Sequence, residues 1–294
     1  MERQTPPNYY KRRIAVLFFF ATFFLFLGRQ LTFLPTINLS ENSKEEDLKT
    51  TIEKVINGKP GFYSIYYHDL NSDKSFGISE KQIETGASIN KLPIVAALYY
   101  LNSKGKIDLD EKITIQKSDV QDYGTGTIRY QTMPQTYSLR NLAKLSLQVS
   151  DNTAAHVISV RIGEDVIQNL VKSWGMSSTL MADNKTTSYD MYLLYKKIYS
   201  NETTDTPRTS ELLSFMTDTD FEDRITKGLP ANAKSFHKTG DGDGFVHDVG
   251  IIETGKGKSY YLGVMTSDIG DNLDITKNTM AEISKKIYNK INGD

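Results

Sequence analysis

Gly86-Ala87-Ser88-Ile89-Asn90-Lys91-Leu92-Pro93-Ile94-Val95-Ala96-Ala97-Leu98-Tyr99-Tyr100 is the stretch on which the reading of this chain turns. From Leu92 onward it is apolar with few polar interruptions, which reads as a buried helix, and Ser88 stands at its start. Residues three apart share a helix face, so the Ser88 hydroxyl and the Lys91 amine come within hydrogen-bond reach. A serine hydroxyl is a poor nucleophile unless an adjacent base removes its proton, and a lysine serves as that base when burial lowers its pKa toward the working pH. The helix start also presents unpaired N–H groups and a positive dipole end, which suit an oxyanion beside the Ser88 N–H. A capping serine followed by a snorkelling lysine is the ordinary alternative for these four residues alone.

Two further motifs follow in order. Ser150-Asp151-Asn152 joins the helical stretches Leu139–Leu147 and Thr153–Ile158 as a tight polar connection. Asp151 or Asn152 can cap the second helix there, while the Ser150 hydroxyl relays a proton and the Asn152 amide holds a substrate amide. Lys238-Thr239-Gly240 precedes the strand-like run Phe245–Ile252, with Asp241-Gly242-Asp243-Gly244 read as the turn between. The same S-x-x-K spacing recurs at Ser103–Lys106 and Ser235–Lys238, but the first lies in a polar, Gly-containing stretch and the second overlaps the third motif.

The set S-x-x-K, S-D-N and K-T-G in this order resembles class A β-lactamases and the penicillin-binding DD-peptidases. The resemblance implies Ser88 as nucleophile, Lys91 as base, Ser150 as proton carrier and Lys238 as an anion-holding catalytic residue. It implies substrate-binding roles for Asn152, Thr239, Gly240 and Asp241, with the Asp241 N–H as second oxyanion donor. The Lys-Thr pair suits the carboxylate shared by β-lactams and D-alanyl peptides, the two implied substrates. Neither a cofactor nor a metal is implied.

One departure from the family pattern stands out. In class A β-lactamases a loop glutamate activates the water that cleaves the acyl-enzyme, ahead of a stretch similar to Asn184-Lys185-Thr186-Thr187-Ser188-Tyr189-Asp190-Met191. Here that stretch follows almost directly on Trp174–Asp183, and no glutamate lies between Asp165 and Tyr199. Glu164 belongs to an earlier helical segment, and Asp183 is short and wrongly placed. The acylating residues are present, and the usual deacylating base is not. A surface penicillin-binding sensor with little turnover is therefore the alternative to a hydrolase.

Composition narrows the remaining classes. A net charge of −1 gives no reason to expect a nucleic-acid partner. The absence of cysteine excludes disulfides, thiol nucleophiles and thiolate metal sites, and the four histidines have no metal-like spacing. His237 reads as a strand residue.

Residues 1–13 are polar and end in Lys11-Arg12-Arg13, while Ile14–Gly28 is a 15-residue apolar run holding six phenylalanines. With Leu31–Leu34 as an extension, 14–34 reads as a membrane signal anchor with the basic end inside, a cleaved signal peptide being the alternative. Residues 35–46 read as a polar linker. The domain, 47–294, is expected to be monomeric and extracytoplasmic. It opens with a helix at Leu48–Ile56 and a hairpin at Phe62–Asp69 and Lys74–Ile78. Strands return at Ser235–Lys238, Phe245–Glu253 and Ser259–Thr266, and a helix over Lys277–Ile291 closes it. The resulting fold class is a three-layer α/β arrangement: a five-stranded antiparallel sheet flanked by N- and C-terminal helices, plus an all-helical subdomain.

Overall fold

The computed structural model describes residues 39–293. The expected basic segment and signal anchor lie outside the described residues. Among the described residues, no helix is long and apolar enough to cross a membrane.

Nine strands and eight α-helices are formed among the described residues. Helix α1 (Leu39–Ile56) leads into β1 (Phe62–Asp69) and β2 (Ser75–Ile78). The short β3 (Glu84–Thr85) and a 3-10 turn at Ala87–Asn90 precede α2 (Lys91–Ser103). The middle holds β4 (Lys112–Ile115), β5 (Gln135–Ser138), α3 (Leu139–Gln148), α4 (Asn152–Ile162) and α5 (Glu164–Ser173). Then come β6 (Lys185–Thr186), α6 (Ser188–Tyr199) and α7 (Thr206–Ser214). β7 (Lys234–Gly242), β8 (Phe245–Glu253), β9 (Ser259–Ser267) and α8 (Leu273–Asn292) complete the order.

The main sheet runs β2-β1-β9-β8-β7, with every neighbouring pair antiparallel. Side chains alternate across a strand, and here both faces are buried. Tyr63, Ile65, Tyr67, Val246, Ile252, Tyr260 and Leu262 pack with Leu48 and Ile52 of α1 and Ile283 and Ile287 of α8. Their alternates Tyr66, Val249, Ile251 and Tyr261 pack into the helical layer with Leu92, Leu98 and Leu142. One period-2 pattern thus feeds two cores, which makes the three-layer α/β fold. Helix α2 runs through the helical core with buried residues on all sides, as its unbroken apolar sequence requires.

Element boundaries differ most from the sequence reading in three places. The stretch read as a polar linker is helical from Leu39, its Glu- and Lys-rich composition being compatible with a helix. The tract read as a four-residue turn shrinks to Asp243-Gly244, because β7 continues through Asp241 and Gly242 to pair with Val246 and Phe245. Helix α8 starts at Leu273, before its apolar periodicity begins, with the Thr276 hydroxyl donating to the Asn272 carbonyl.

Candidate active site

Ser88 sits in the 3-10 turn that runs straight into α2, where Lys91 is the first helical residue. The turn is held from both sides: the Gly86 N–H donates to the Asn184 carbonyl at 2.7 Å, and the Asn90 amide donates to Asn184 Oδ1 at 2.7 Å. His247 fastens the preceding strand. Its Nδ1 accepts from the Thr266 N–H at 3.1 Å, so Nε2 carries the proton and donates to the Thr85 carbonyl at 2.8 Å. Burial pushes the His247 pKa down to about 4, so the ring stays neutral in this role.

Lys91 Nζ lies 3.0 Å from Ser88 Oγ and 3.0 Å from Ser150 Oγ, and it also donates to Asn152 Oδ1 at 2.6 Å and to the Ser150 carbonyl. Two of these four partners are pure acceptors. A neutral amine has two N–H donors and one lone pair. With both donors committed to Asn152 Oδ1 and the Ser150 carbonyl, the lone pair is left for a serine hydroxyl. Burial favours that neutral form and lowers the Lys91 pKa to about 7, although Asp151 opposes the shift.

Ser150 takes a left-handed conformation, φ 55°, between α3 and α4. Asp151 caps α4 by accepting from the Ala154 N–H at 2.9 Å, and its other oxygen accepts from the Thr127 and Ile128 N–H groups at 2.6 and 2.8 Å. This carboxylate pins the loop before β5 over the connection. The loop approaches so closely that a Cβ at Gly126, φ 123°, would come within 2.5 Å of the Asp151 carboxyl carbon. In turn Thr125 donates to the Ser150 carbonyl at 2.8 Å and Asn152 Nδ2 donates to the Tyr123 carbonyl at 2.8 Å.

The third motif lies on β7, the edge strand of the sheet. The His237 N–H donates to the Met216 carbonyl at 2.8 Å, away from β8. By the alternation of an antiparallel ladder, the N–H groups of Thr239 and Asp241 also point to that free edge. Gly240 lies against the nucleophile's turn, where an added Cβ would come within 3.1 Å of the Gly86 carbonyl and 3.3 Å of Ser88 N. Lys238 Nζ donates to Ser150 Oγ at 3.1 Å and to the Thr239 carbonyl at 3.0 Å, and sits 5.7 Å from the Phe221 ring centre. Burial, then repulsion from Lys91 and Arg224, lowers its pKa well below the usual lysine range.

Ser88, Lys91, Ser150, Asn152, Thr239 and Asp241 open onto one cleft of about 750 Å³, with Lys238 and Gly240 behind it. All eight residues singled out in the sequence therefore meet in one place. The segment where a glutamate loop was missed passes here too, and it contributes Met181 and Asn184 to the cleft wall. Among the described residues lining the cleft, Asp241 supplies the carboxylate. No group of three or more His, Cys, Asp or Glu among the described residues is placed to hold a metal ion.

The sequence reading passed over Arg224 and gave His247 and Asn184 no part in the site, while His237 stands on β7 as the strand residue it was read to be. His237 is fully buried, with Nδ1 2.8 Å from Asp248 Oδ1 and Nε2 3.1 Å from Glu222 Oε1. Burial opposes its charge, but Asp248 and Glu222 outweigh burial and raise the His237 pKa to about 9. Nothing in the spacing of these residues signals the cluster, because strand pairing and a long connection bring them together.

The chain is 25% identical over 223 residues to β-lactamase BRO-1 of Moraxella catarrhalis, covering 66% of this chain and 69% of that one. It is 27% identical over 235 residues to a β-lactamase of Proteus vulgaris, covering 74% and 77%. Among solved structures, PBP-A matches with a TM-score of 0.79 at 25% identity, over 84% of this chain and 97% of that one. A mutant of PBP-A solved as an acyl-enzyme complex with penicillin G matches equally, with a TM-score of 0.79 at 25% identity over 85% and 97%. The model of the β-lactamase enzyme family matches residues 47–291, so the chain belongs to that family and is a class A β-lactamase-like serine hydrolase.

Proposed function

We propose that the protein forms an acyl-enzyme at Ser88 with β-lactams or with cell-wall peptides ending in D-alanine, and that it releases the acyl group slowly. The carrying observation is Lys91 Nζ at 3.0 Å from both Ser88 Oγ and Ser150 Oγ, with its pKa lowered to about 7 by burial. Ser88 Oγ attacks the carbonyl carbon while its proton passes to Lys91 Nζ. The carbonyl oxygen takes up the negative charge between the N–H groups of Ser88 and Asp241. Collapse breaks the C–N bond, Ser150 Oγ hands a proton to the leaving nitrogen, and Lys91 returns one to Ser150. In a β-lactam the amine stays tethered, whereas in a peptide D-alanine departs. Thr239 faces the substrate carboxylate with Lys238 behind it, and Asn152 faces the side-chain amide.

Hydrolysis of the ester needs a water and a base. Asn184 and Met181 line the cleft from a segment that holds no glutamate, and the Asp241 carboxylate is held by Arg224 at 2.9 Å. Loss of a positioned general base costs typically two to four powers of ten in rate, roughly 3 to 5 kcal/mol in the deacylation barrier. The same observation favours a second reading, a penicillin-binding sensor with little turnover. Acylation by benzylpenicillin followed by stopped flow, with steady-state hydrolysis on the same preparation, tests this. An adduct that accumulates with turnover far slower than acylation supports slow release, and penicillin turnover as fast as acylation overturns it.

The catalytic domain, 47–294, is tethered outside the cell by the 14–34 anchor through the 35–46 stretch. The basic residues before Ile14 and the apolar run after it support this orientation. Fractionation of cells is expected to place the protein with membranes, and protease added to intact cells to remove the domain. A soluble form starting near residue 35 would point to a cleaved signal peptide.

A further inference from the structure

Arg224 is about 1% exposed, yet it carries a full charge directly behind the cleft. Each arm of its guanidinium is occupied. Nε donates to Asp223 at 2.9 Å, Nη1 to the His247 carbonyl at 3.0 Å, and Nη2 to the Asp241 carboxylate at 2.9 and 3.1 Å. Asp223 is shared with Lys277 at 2.7 Å, and the other nearby carboxylate, Asp248, is paired with His237. Asp241 is therefore the anion that answers Arg224 on the side facing the cleft. Unlike the arginine, its side chain is 45% exposed and lines the cleft itself.

The position of Asp241 along β7 gives this pair a chemical consequence. Thr239 and Asp241 are two residues apart, so their side chains leave the same face of the strand about 7 Å apart. A substrate carboxylate held by Lys238 and Thr239 would lie beside the Asp241 carboxylate, with the arginine's charge already spent on the latter. Like charges at that range disfavour binding, and a charge-assisted bond to the buried fork is denied to the substrate.

We propose that Asp241 is a specificity-determining residue of the Ser88 site: by occupying Arg224 it lowers the preference for acyl donors that carry a carboxylate beside the scissile amide, and favours donors in which that group is uncharged. This rests on the acyl-enzyme reading of Ser88. The oxyanion contact proposed for Asp241 uses its main-chain N–H, so changes in its side-chain charge leave that donor in place.

The full-length chain is incubated with benzylpenicillin or with its methyl ester, and the rate of adduct formation is read by intact mass. Asp241→Asn is expected to raise the acid-to-ester ratio of rates about ten-fold over the unmodified chain, and Asp241→Glu to leave that ratio near its original value. Any effect on the oxyanion site is common to both compounds and cancels in the ratio. If Asp241→Asn does not fold, as judged by circular dichroism, Asp241→Ala gives the same reading. An unchanged ratio in the charge-removing variant overturns the selectivity role while leaving acylation standing. Failure of the unmodified chain to form an adduct with either compound overturns the acyl-enzyme reading and this inference with it.

Discussion

Lys91 engages two polar groups of Ser150 through one atom: its Nζ donates to the main-chain carbonyl and lies 3.0 Å from the hydroxyl. The left-handed conformation of Ser150, φ 55°, folds the residue back so that the carbonyl and the side chain reach the same amine. Lys91 and Ser150 are thus joined at two points.

The first prediction concerns the nucleophile and its base. Ser88→Ala is expected to form no adduct with benzylpenicillin by intact mass, and Lys91→Ala to lose acylation by about 100-fold to 10,000-fold while retaining its fold. An adduct persisting in Ser88→Ala would move the nucleophile elsewhere.

The acylation rate should follow the protonation of Lys91. Burial lowers its pKa to about 7, and the neutral amine is the active form, so the rate should fall about ten-fold per pH unit below 7 and level off above it. Second-order acylation rates measured from pH 5.5 to 9 check this. A profile flat across that range would mean that Lys91 does not take the proton.

At position 150 chemistry and backbone strain can be separated. Ser150→Gly and Ser150→Ala both remove the hydroxyl between Lys91 and Lys238, so both should lose acylation to a similar degree. Glycine tolerates φ 55° without a Cβ penalty, so Ser150→Gly should be the more stable of the two by about 1 kcal/mol in urea unfolding. Equal stabilities would argue against the left-handed turn.

His237 makes stability pH-dependent. Its pKa in the fold is raised from 6.5 to about 9, so its contribution is fully present below pH 6.5 and is lost as pH rises through 9. A shift of that size corresponds to about 3 kcal/mol. Lys91 acts in the opposite sense between about 7 and 10.5, where its lowered pKa makes stability rise with pH. Comparing His237→Gln with the unmodified chain cancels the Lys91 contribution. The gap between them in urea unfolding should be larger at pH 6 than at pH 9.5, and a pH-independent gap would show that His237 is uncharged.

The layer architecture and the eight candidate site residues were both legible in the sequence. The S-x-x-K, S-D-N and K-T-G motifs carry their chemistry in local spacing, and Phe62–Asp69 and Phe245–Glu253 show their strands as apolar runs bounded by turn residues. That no glutamate lies between Asp165 and Tyr199 is legible for the same reason, since a contiguous segment either contains the residue or does not. Boundaries were less legible: Asp241 and Gly242 look like turn chemistry, and it is pairing with Val246 and Phe245 that makes them strand.

Tertiary structure alone decided what surrounds those residues. The Arg224–Asp241 pair, the His237–Asp248–Glu222 cluster and the link from His247 to the Thr85 carbonyl join groups from separate elements, and no periodicity encodes such distances. The electrostatics of the site has the same origin. Burial lowers the pKa of both Lys91 and Lys238, the nearby Lys91 and Arg224 lower that of Lys238 further, and burial exists only once the sheet and the helical layer have closed over them.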